Sequence, residues 1–512
     1  MTNHLLANSY QHKLSIHKLT ALSRMTTRLP LFLLFVLLSL LPVCPAQSQR
    51  TLSLSDAIAL AQRQSPYYFR AKNTYETGYW QFQNFQAGFK PQIRLNATIP
   101  TFFRAINPIT QPDGSIQFRR VTQANNSLGV SLVQNIGATG GQLLLGTRLQ
   151  RTDNFGGAES SYFLSTPVSF SYYQESLLYN DLRWQRKLQP LYFQTAEKNY
   201  AEELEEAALQ GATLFMATLV AQVTADITAA NLANADSLYL LTKERFALGT
   251  VAQSDLLQLE LNVLKAKNQL ATARLNAEAS LRNMKRILGI DLAEAVALQE
   301  PPLPLKTSLS YEVALEEARS NRQNVLEFST RRLEAEQKIA EAKGKNSLQF
   351  GLSANVGTQQ TATSFGGAYR NLQNQQYIGV SLDMPIQDWG LRKSQIRLAE
   401  ANRELVEVNV QQDELTFEQE IFLQVMRFGQ QYDQLALAQK ADTVAQQRLH
   451  ITKERYLVGK VGITDLNLAL EENIRAREGY IQSLSAYWLA FYTLRRLTLY
   501  DFEKKQSIRY QP

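Results

Sequence analysis

Histidine and cysteine, the side chains that most often carry nucleophilic or metal chemistry, are nearly confined to the start of this 512-residue chain. Three of the four histidines (His4, His12 and His17) and the single cysteine, Cys44, lie within residues 1–46. A mature chain without that stretch keeps one histidine and no thiol. The composition therefore argues against Cys/His zinc sites, thiol nucleophiles, disulfide frameworks and Ser-His-Asp triads, and we expect no catalytic residue, metal or cofactor.

Carboxylates are the remaining residues that could do chemistry, as the acid and base of a hydrolase. Such an enzyme needs two acids that converge on one pocket, whereas the acids of this chain are spread along predicted helix surfaces. The net charge of +7 falls to +3 without residues 1–46, because they hold four lysines and arginines and no acid. The remaining charge does not favour a nucleic-acid partner. An exported carboxylate-dependent hydrolase stays an alternative.

Residues 1–46 are typical of a secretory leader. Two arginines precede an apolar run over 29–41, and small residues follow it before Gln47. This run is too short to cross a bilayer core of about 30 Å as a helix. We predict a signal peptide that is cleaved before Gln47, with Met25 as an alternative start and lipidation of Cys44 as an alternative fate. With no later apolar stretch of 18 residues, a membrane crossing would use β-strands.

Two related segments indicate that the chain is internally duplicated. TKERFALGTVAQSDL begins at Thr242 and TKERYLVGKVGITDL begins at Thr452, with eight of fifteen positions identical. A weaker match between segments at Ser55 and Tyr311 has a spacing of 256 rather than 210, so the first copy is 46 residues longer. We predict a first repeat over 47–289, a proline-containing linker over 290–310, a second repeat over 311–499 and a tail over 500–512.

Each repeat begins with a helical segment, at about 56–90 and 311–346, and continues with period-two alternation at about 92–174 and 348–386. In the second repeat, apolar residues share one strand face, and those that we expect to face lipid are Phe350, Leu352, Ile378, Val380 and Leu382. A soluble sandwich would give the same alternation. The longer first copy predicts an added hairpin, so the two repeats together would contain four or six strands.

Long helical stretches follow the strands at about 191–248 and 390–458, and shorter ones follow at about 254–288 and 464–498. At 1.5 Å per residue, the long helices would reach about 90 and 100 Å. Two short helices placed end to end match one long helix, which fits a wall of packed helices. A periplasmic coiled-coil scaffold without a barrel stays an alternative.

An aromatic-x-x-Gly turn followed by Asp-Leu separates the long helix from the short one in both repeats. Gly249 and Gly459 stand where a helix must stop and reverse, which needs positive φ. Ser254 or Thr464 is then expected to cap the next helix. Helix termination is by itself a sufficient reason for both motifs.

The duplicated order of helix, strands and helix, together with the turns at about 246–255 and 456–465, resembles the TolC-like outer membrane efflux proteins. The resemblance covers about 50–500. It implies an α+β membrane protein in which three chains share one outer-membrane β-barrel, continued by a long periplasmic α-helical barrel, with an equatorial region built from the linker and the chain ends. It also implies a passive duct, not an enzyme, in a tripartite efflux or type I secretion system.

The resemblance further implies partners and sites. The partners are two more copies of the chain, outer membrane lipid, a periplasmic adaptor protein and, through it, an inner-membrane transporter of the RND or ABC type. The turn residues expected to contact the adaptor are Phe246, Gly249, Val251, Asp255, Gly459 and Val461. Asp465 and Tyr456 are expected at the periplasmic constriction. Well-known family members have a second acid three residues after the first, but here that position is Leu468, so we do not expect a doubled acidic ring.

Overall fold

A computed structural model describes residues 50–155, 160–304, 309–345 and 348–510. The predicted signal peptide, the alternative start at Met25 and the lipidation candidate Cys44 lie outside the described residues. Residues from Thr51 onward form one folded unit that includes both predicted repeats.

In the first half of the chain, two helices precede four long strands and two further helices follow them. The short strand β1 (Arg50–Leu52) leads into α1 (Leu54–Gln64) and α2 (Pro66–Gly88). The long strands are β2 (Gln92–Thr110), β3 (Ile116–Asn135), β4 (Gln142–Asn154) and β5 (Ser160–Gln174). The closing helices are α3 (Asp181–Ala247) and α4 (Gln253–Leu288).

The second half repeats this order with two long strands instead of four. After β6 (Val296–Leu298) come α5 (Tyr311–Asn321) and α6 (Asn324–Lys345). The strands are β7 (Gln349–Ala362) and β8 (Gln373–Asp383), with a 3-10 turn at Gly367–Tyr369 between them. The remaining elements are α7 (Leu391–Leu457), α8 (Ile463–Thr498), β9 (Tyr500–Asp501) and β10 (Gln506–Ser507).

The helical segments predicted as continuous over 56–90 and 311–346 are each divided, so that prediction is wrong in detail. Ser65 is extended (φ −76°, ψ 160°) because the following Pro66 excludes the α conformation, and the Ser65 hydroxyl caps α2 at a distance of 3.3 Å from the Tyr68 amide. Arg322 is likewise extended (φ −74°, ψ 155°) between α5 and α6. Each break gives the chain a change of direction before it enters the sheet.

Helix α3 begins at Asp181, before the start predicted near 191, and it contains Pro190 in its interior. The side chain of Asn180 caps the first turn and accepts a hydrogen bond from the Arg183 amide at 3.0 Å. With this earlier start, α3 and α7 have the same length of 67 residues, which is about 100 Å. The duplication therefore extends to the lengths of the long helices.

Six strands form one antiparallel sheet in the order β2-β3-β4-β5-β7-β8. The pairing of β5 with β7 joins the two halves of the chain, and β2 and β8 are the edges. Residues opposite one another share a face. One row across five strands is apolar and consists of Ile93, Leu132, Leu145, Phe170 and Val356. The adjacent row, on the other face, consists of Arg94, Ser131, Gly146, Ser169 and Gly357.

The largest buried cluster lies where the middle parts of the long helices meet the short helices and the chain ends. Its fully buried side chains include Phe215 of α3 and Tyr487 of α8. Gly211 permits a close approach of α1 to α3, because a Cβ there would lie 2.7 Å from the Ala61 Cβ. The Gln299 amide donates to the Leu52 carbonyl at 3.0 Å, so the linker is tied to the N-terminal strand.

Among the described helices, α3 alone has an 18-residue window apolar enough to cross a membrane, with a mean hydropathy of 1.4. Core helices of soluble domains can be equally long and apolar, so this property alone does not indicate a membrane span. Phe215, Met216 and Leu219 of this helix are buried in the main cluster. Packing within the protein therefore accounts for part of its apolar character.

Candidate channel tip and membrane sheet

The two repeated motifs form two similar turns between long and short helices. In the first turn Gly249 has φ 71°, and the Thr250 amide donates to the Arg245 carbonyl at 3.0 Å. In the second turn Gly459 has φ 74°, and the Lys460 amide donates to the carbonyl of its counterpart arginine at 2.9 Å. No described atom lies within 4 Å of a Cβ built on either glycine. The glycines are therefore needed for backbone conformation rather than for space.

The predicted caps of the short helices are wrong. Helix α4 begins at Gln253 with Ala252 as its N-cap, and α8 begins at Ile463 with Gly462 as its N-cap. Neither cap residue makes a side-chain capping hydrogen bond. Ser254 therefore lies inside the first turn, where its hydroxyl is 3.5 Å from the Asp255 carboxylate.

Tyr456 joins the two turns of one chain. Its side chain is only 7% exposed and packs against Leu238, Leu259 and Leu466. The Tyr456 hydroxyl lies 3.2 Å from Oγ1 of Thr242, which belongs to the other long helix. This partner is within the chain, so in the isolated protomer Tyr456 is a link between α3 and α7.

Arg245 makes a second link at the same place. One of its Nη atoms donates to the Leu457 carbonyl at 2.9 Å, and its guanidinium lies 5.8 Å from the centroid of the Tyr456 ring. The first-repeat counterpart of Tyr456 is Phe246, which is 40% exposed instead of buried. The two copies of the motif therefore share their turn geometry and differ in what their aromatic residue contacts.

The acidic residues of the two motifs also differ in exposure. Asp465 is exposed on the first turn of α8, whereas Asp255 is half-buried on the first turn of α4. Within the described part of the chain, no hydrogen bond or ion pair engages the Asp465 carboxylate. Leu468, one turn further along α8, is 44% exposed. Val251 and Val461 are both half-buried beside the turns.

Next to the tip, a groove of about 1130 Å³ runs between α4 and α8. Its lining is mainly amide, hydroxyl and charged side chains, including Asn262, Glu471 and Arg475. Asn262 donates to Asn467 across the groove at 3.3 Å. The groove offers polar contacts along two helices of the same chain.

The sheet keeps the five predicted membrane-facing residues on one face. Leu382 is opposite Phe350 and Val380 is opposite Leu352, while Ile378 continues the alternation along β8. On β8 these side chains are 62% to 74% exposed, and at the other edge Ile93 is 77% exposed. The apolar face of the sheet therefore stays uncovered within this chain.

A buried polar network in the helical region had no signal in the sequence. Glu205 of α3 is fully buried and accepts hydrogen bonds from two nitrogens of Arg495, at 2.9 and 3.1 Å. Arg495 also lies 3.2 Å from the Asp501 carboxylate, and Tyr510 donates to Glu205 at 2.5 Å. Burial raises the pKa of Tyr492, beside Arg495, to about 12. The network ties the first repeat, the second repeat and the tail together.

The described residues contain no group of three or more His, Cys, Asp or Glu side chains that is arranged to hold a metal ion. The buried carboxylates of the described residues are each paired with an arginine, and they are Glu205, Asp442 and Asp501.

Residues 314–498 match the family profile described as "Outer membrane efflux protein". The match spans most of the second repeat, including both of its strands, its long helix and its tip turn. The resemblance predicted from the duplicated motifs is therefore confirmed for this part of the chain. Proteins of that family transport rather than catalyse, which agrees with the prediction that the chain is not an enzyme.

Several solved structures share the fold at low sequence identity. The CmeC outer membrane channel of Campylobacter jejuni is 16% identical, with a TM-score of 0.63 over 88% of this chain and 88% of that one. The MtrE outer membrane channel of Neisseria gonorrhoeae, in its open state, is 14% identical, with a TM-score of 0.61 over 87% and 88%. The outer membrane protein VceC of Vibrio cholerae is 16% identical, with a TM-score of 0.58 over 87% and 96%. No curated protein matches the chain significantly. The predicted α+β class, with duplicated helical and strand regions, is confirmed.

Proposed function

We propose that this chain, whose second repeat matches the outer membrane efflux protein family, is one subunit of a trimeric, passive export duct in a bacterial outer membrane. The strands would cross the membrane and the helices would extend into the periplasm. Substrates would arrive from an inner-membrane transporter of the RND or ABC type through a periplasmic adaptor. The duct has no chemistry of its own in this proposal.

The observation that carries the proposal is the two-faced sheet. On the part of one face nearest the helices, a row through five successive strands is entirely apolar. The charged residues of this face lie further from the helices, and they are Arg104, Arg120, Arg151 and Asp153. Ile93 and Ile378 are each more than 70% exposed. An apolar face of this extent is unfavourable in water by about 25 cal/mol for each Å² exposed. Lipid removes this cost, which supports a membrane location for the sheet.

The free edges of the sheet support assembly with further copies. Strands β2 and β8 each have one neighbour in the chain, so one side of each is unpaired. Backbone groups at an open edge are not tolerated in a bilayer, and closure into a barrel removes the edges. Six strands from each of three chains would give an eighteen-stranded barrel. Barrels of about 16 to 18 strands enclose an aqueous channel.

The tip turns support an adaptor contact. Leu248 in the first turn is 78% exposed and Val458 in the second is 68% exposed. Exposed apolar residues next to a polar groove form the mixed surface that protein partners use. The adaptor would contact these turns through Phe246, Gly249, Val251, Asp255, Gly459 and Val461.

The constriction in this proposal is formed by Asp465. Three symmetry-related copies of an exposed carboxylate at a narrowing tip repel one another and attract cations. Tyr456 contributes indirectly, because its contact with Thr242 holds the two tips of one chain together. With Leu468 one turn further along, closure would rest on one acidic ring and on apolar contact.

The alternatives explain less of the structure. A periplasmic coiled-coil scaffold would leave the apolar face of a six-stranded sheet in water. A carboxylate-dependent hydrolase needs two acids converging on a pocket. The acids that line the groove beside the tip are Asp255, Glu471 and Glu478, and they share the lining with arginine, lysine and many amide side chains. A duct makes use of both the sheet and the long helices.

Cysteine accessibility along β8 tests the proposal. In intact outer membranes, cysteines at Ile378, Val380 and Leu382 should resist a membrane-impermeant thiol reagent, whereas those at Ser381 and Asp383 should react. Adjacent strand residues point to opposite faces, so reactivity should alternate with a period of two. Recovery in a soluble periplasmic fraction, or uniform reactivity of all five positions, would refute the membrane sheet.

A further inference from the structure

The charged residues of the long strands are unequally distributed by sign. The described parts of β2, β3, β4, β5, β7 and β8 contain no lysine and only two acids, Asp153 and Asp383. They contain six arginines, which are Arg94, Arg104, Arg119, Arg120, Arg148 and Arg151. The sheet therefore carries an excess of positive charge although the mature chain as a whole is nearly balanced.

The strand register assigns these charges to faces. Arg94 is opposite Ser131, and Arg148 is opposite Gly129, which places both arginines on the polar face. Arg119 follows the same alternation along β3. Asp383, opposite Gln349 at the end of β8 nearest the helices, is the one acid on this face in the described strands. The polar face thus has three arginines for one aspartate.

Arg148 has no acidic side chain in its row that could compensate its positive charge. It lies on β4, inside the sheet, and its row contains only Asn96, Gly129 and Thr166. Its guanidinium is exposed and donates to the neutral Gln150 amide oxygen at 3.3 Å. On the neighbouring strand β3, Gly129 has no side chain, and the guanidinium donates to the neutral Ser127 hydroxyl at 3.4 Å.

Arg94 differs because it lies on the edge strand β2. It donates to Gln92 at 2.8 Å within the chain. If a second copy pairs its β8 with this edge, antiparallel pairing brings the end of β8 beside the start of β2, and Asp383 of that copy can approach Arg94. Even with this pair formed, Arg148 and Arg119 leave each chain with an excess positive charge on the polar face.

We infer that the strand segment of the duct selects anions over cations, with Arg148 as the main determinant. This inference rests on the proposed duct, since it takes the polar face as the lumen. Three copies of Arg148 form a ring of fixed positive charge with no nearby carboxylate. Charged rings of this kind raise the local concentration of counter-ions and set the sign of the permeating species. The cargo class that fits this segment is small anionic solutes.

Planar bilayers with the reconstituted full-length protein test the inference. The reversal potential in a potassium chloride gradient gives the permeability ratio of chloride to potassium. Low salt is needed because the Debye length is about 30 Å at 0.01 M and only about 3 Å at 1 M. Asp465→Asn is included as a background, so that the carboxylates at the tip do not contribute a cation preference.

The expected result is a permeability ratio above one in this background, which Arg148→Gln lowers towards one and Arg148→Lys preserves. The matched control is Arg151→Gln, because Arg151 lies on the same strand but shares the opposite face with Asn126. It removes the same charge, and its ratio should stay at the background value.

Two outcomes would overturn the inference, and they differ in what else they affect. Conducting channels that prefer potassium, or that respond equally to Arg148→Gln and Arg151→Gln, overturn anion selection and leave the duct intact. Absence of any conductance from correctly folded trimers overturns the duct itself and the inference with it.

Discussion

Two adjacent glutamates on α3 provide a sharp test of the packing between the repeats. Glu205 is fully buried and bonded to Arg495, while Glu206 lies 3.2 Å from Arg496 with both side chains about one quarter exposed. We predict that Glu205→Gln destabilises the α3–α8 contact strongly and that Glu206→Gln barely changes it. The two substitutions remove the same charge, one residue apart.

The expected magnitude follows from burial. Removing one partner of a buried ion pair leaves an uncompensated charge and costs about 3 to 5 kcal/mol. Asp501 still faces Arg495 in the Glu205→Gln variant, at 3.2 Å, so we take the lower end, about 3 kcal/mol. A partly exposed pair near the surface, such as that of Glu206 and Arg496, is worth about 0 to 1 kcal/mol.

Amide hydrogen exchange in α3 reads out this difference locally. Since about 1.4 kcal/mol corresponds to a tenfold change in an equilibrium constant, Glu205→Gln should accelerate exchange in residues 200–212 by about 100-fold. Glu206→Gln should change the same amides by less than about fivefold. Equal effects of the two variants would refute the assignment of Glu205 and Arg495 as a buried, energetically coupled pair.

Three further predictions concern the tip and the core. Gly459→Ala should cost about 1 kcal/mol in thermal stability because φ is 74°, whereas Gly462→Ala, at φ −80°, should cost less, and denaturation followed by circular dichroism compares them. Tyr492, with a pKa raised by burial to about 12, stays protonated when the unfolded phenol ionises near pH 10. Stability should therefore fall by up to about 3 kcal/mol between pH 10 and 12, and Tyr492→Phe should lack this part of the loss in melts across that range. Asp465→Ala should weaken block of single channels by multivalent cations, and an unchanged block would make Asp465 a helix-start carboxylate only.

The turn geometry of the tips was predictable because it is local. A glycine after an aromatic-x-x spacing determines how a helix ends, and the hydrogen bonds that close the turn join residues five apart. Which aromatic residue becomes buried is a tertiary matter. Tyr456 meets Thr242 from a segment 214 residues away, whereas Phe246 remains exposed. Near-identical motifs predicted the same turn, and sequence spacing held no information about that contact.

The two faces of the sheet were also predictable, since alternation along a strand requires no knowledge of its neighbours. The register was not, because it depends on which strands pair. Strand β5 pairs with β7 across a gap of about 190 residues, and an extra residue between Ser165 and Val168 shifts the alignment. Charge on a face becomes visible only after the register is known, which is why Arg148 had no significance in the sequence.

Pro66 and Pro190 show why the helix boundaries were the least accurate part of the prediction. At Pro66 the chain breaks, and Ser65 supplies a cap for the following helix. At Pro190 the helix continues, although an interior proline costs about 3 kcal/mol. The difference lies in the surroundings, because α3 has buried side chains on both sides of Pro190, Leu188 before it and Tyr200 after it, and loses one hydrogen bond in 67 residues. Sequence rules treat both prolines alike.

The two halves of the chain are joined at three levels of different strength. In the sheet, β5 and β7 share a ladder of backbone hydrogen bonds. In the helical core, Glu205 and Arg495 form a buried ion pair that is costly to break. At the tip, the links are a small apolar cluster around Tyr456 and a few hydrogen bonds. These hydrogen bonds include those of Tyr456 with Thr242 and of Asn262 with Asn467, and that from Arg245 to a carbonyl, each worth about 1 to 2 kcal/mol. A motion that separates the halves therefore meets least resistance at the tip. Because α3 and α7 are continuous over about 100 Å, they can pivot on the core without unfolding. In the proposed duct, the helical tip would therefore open while the strand end stays fixed.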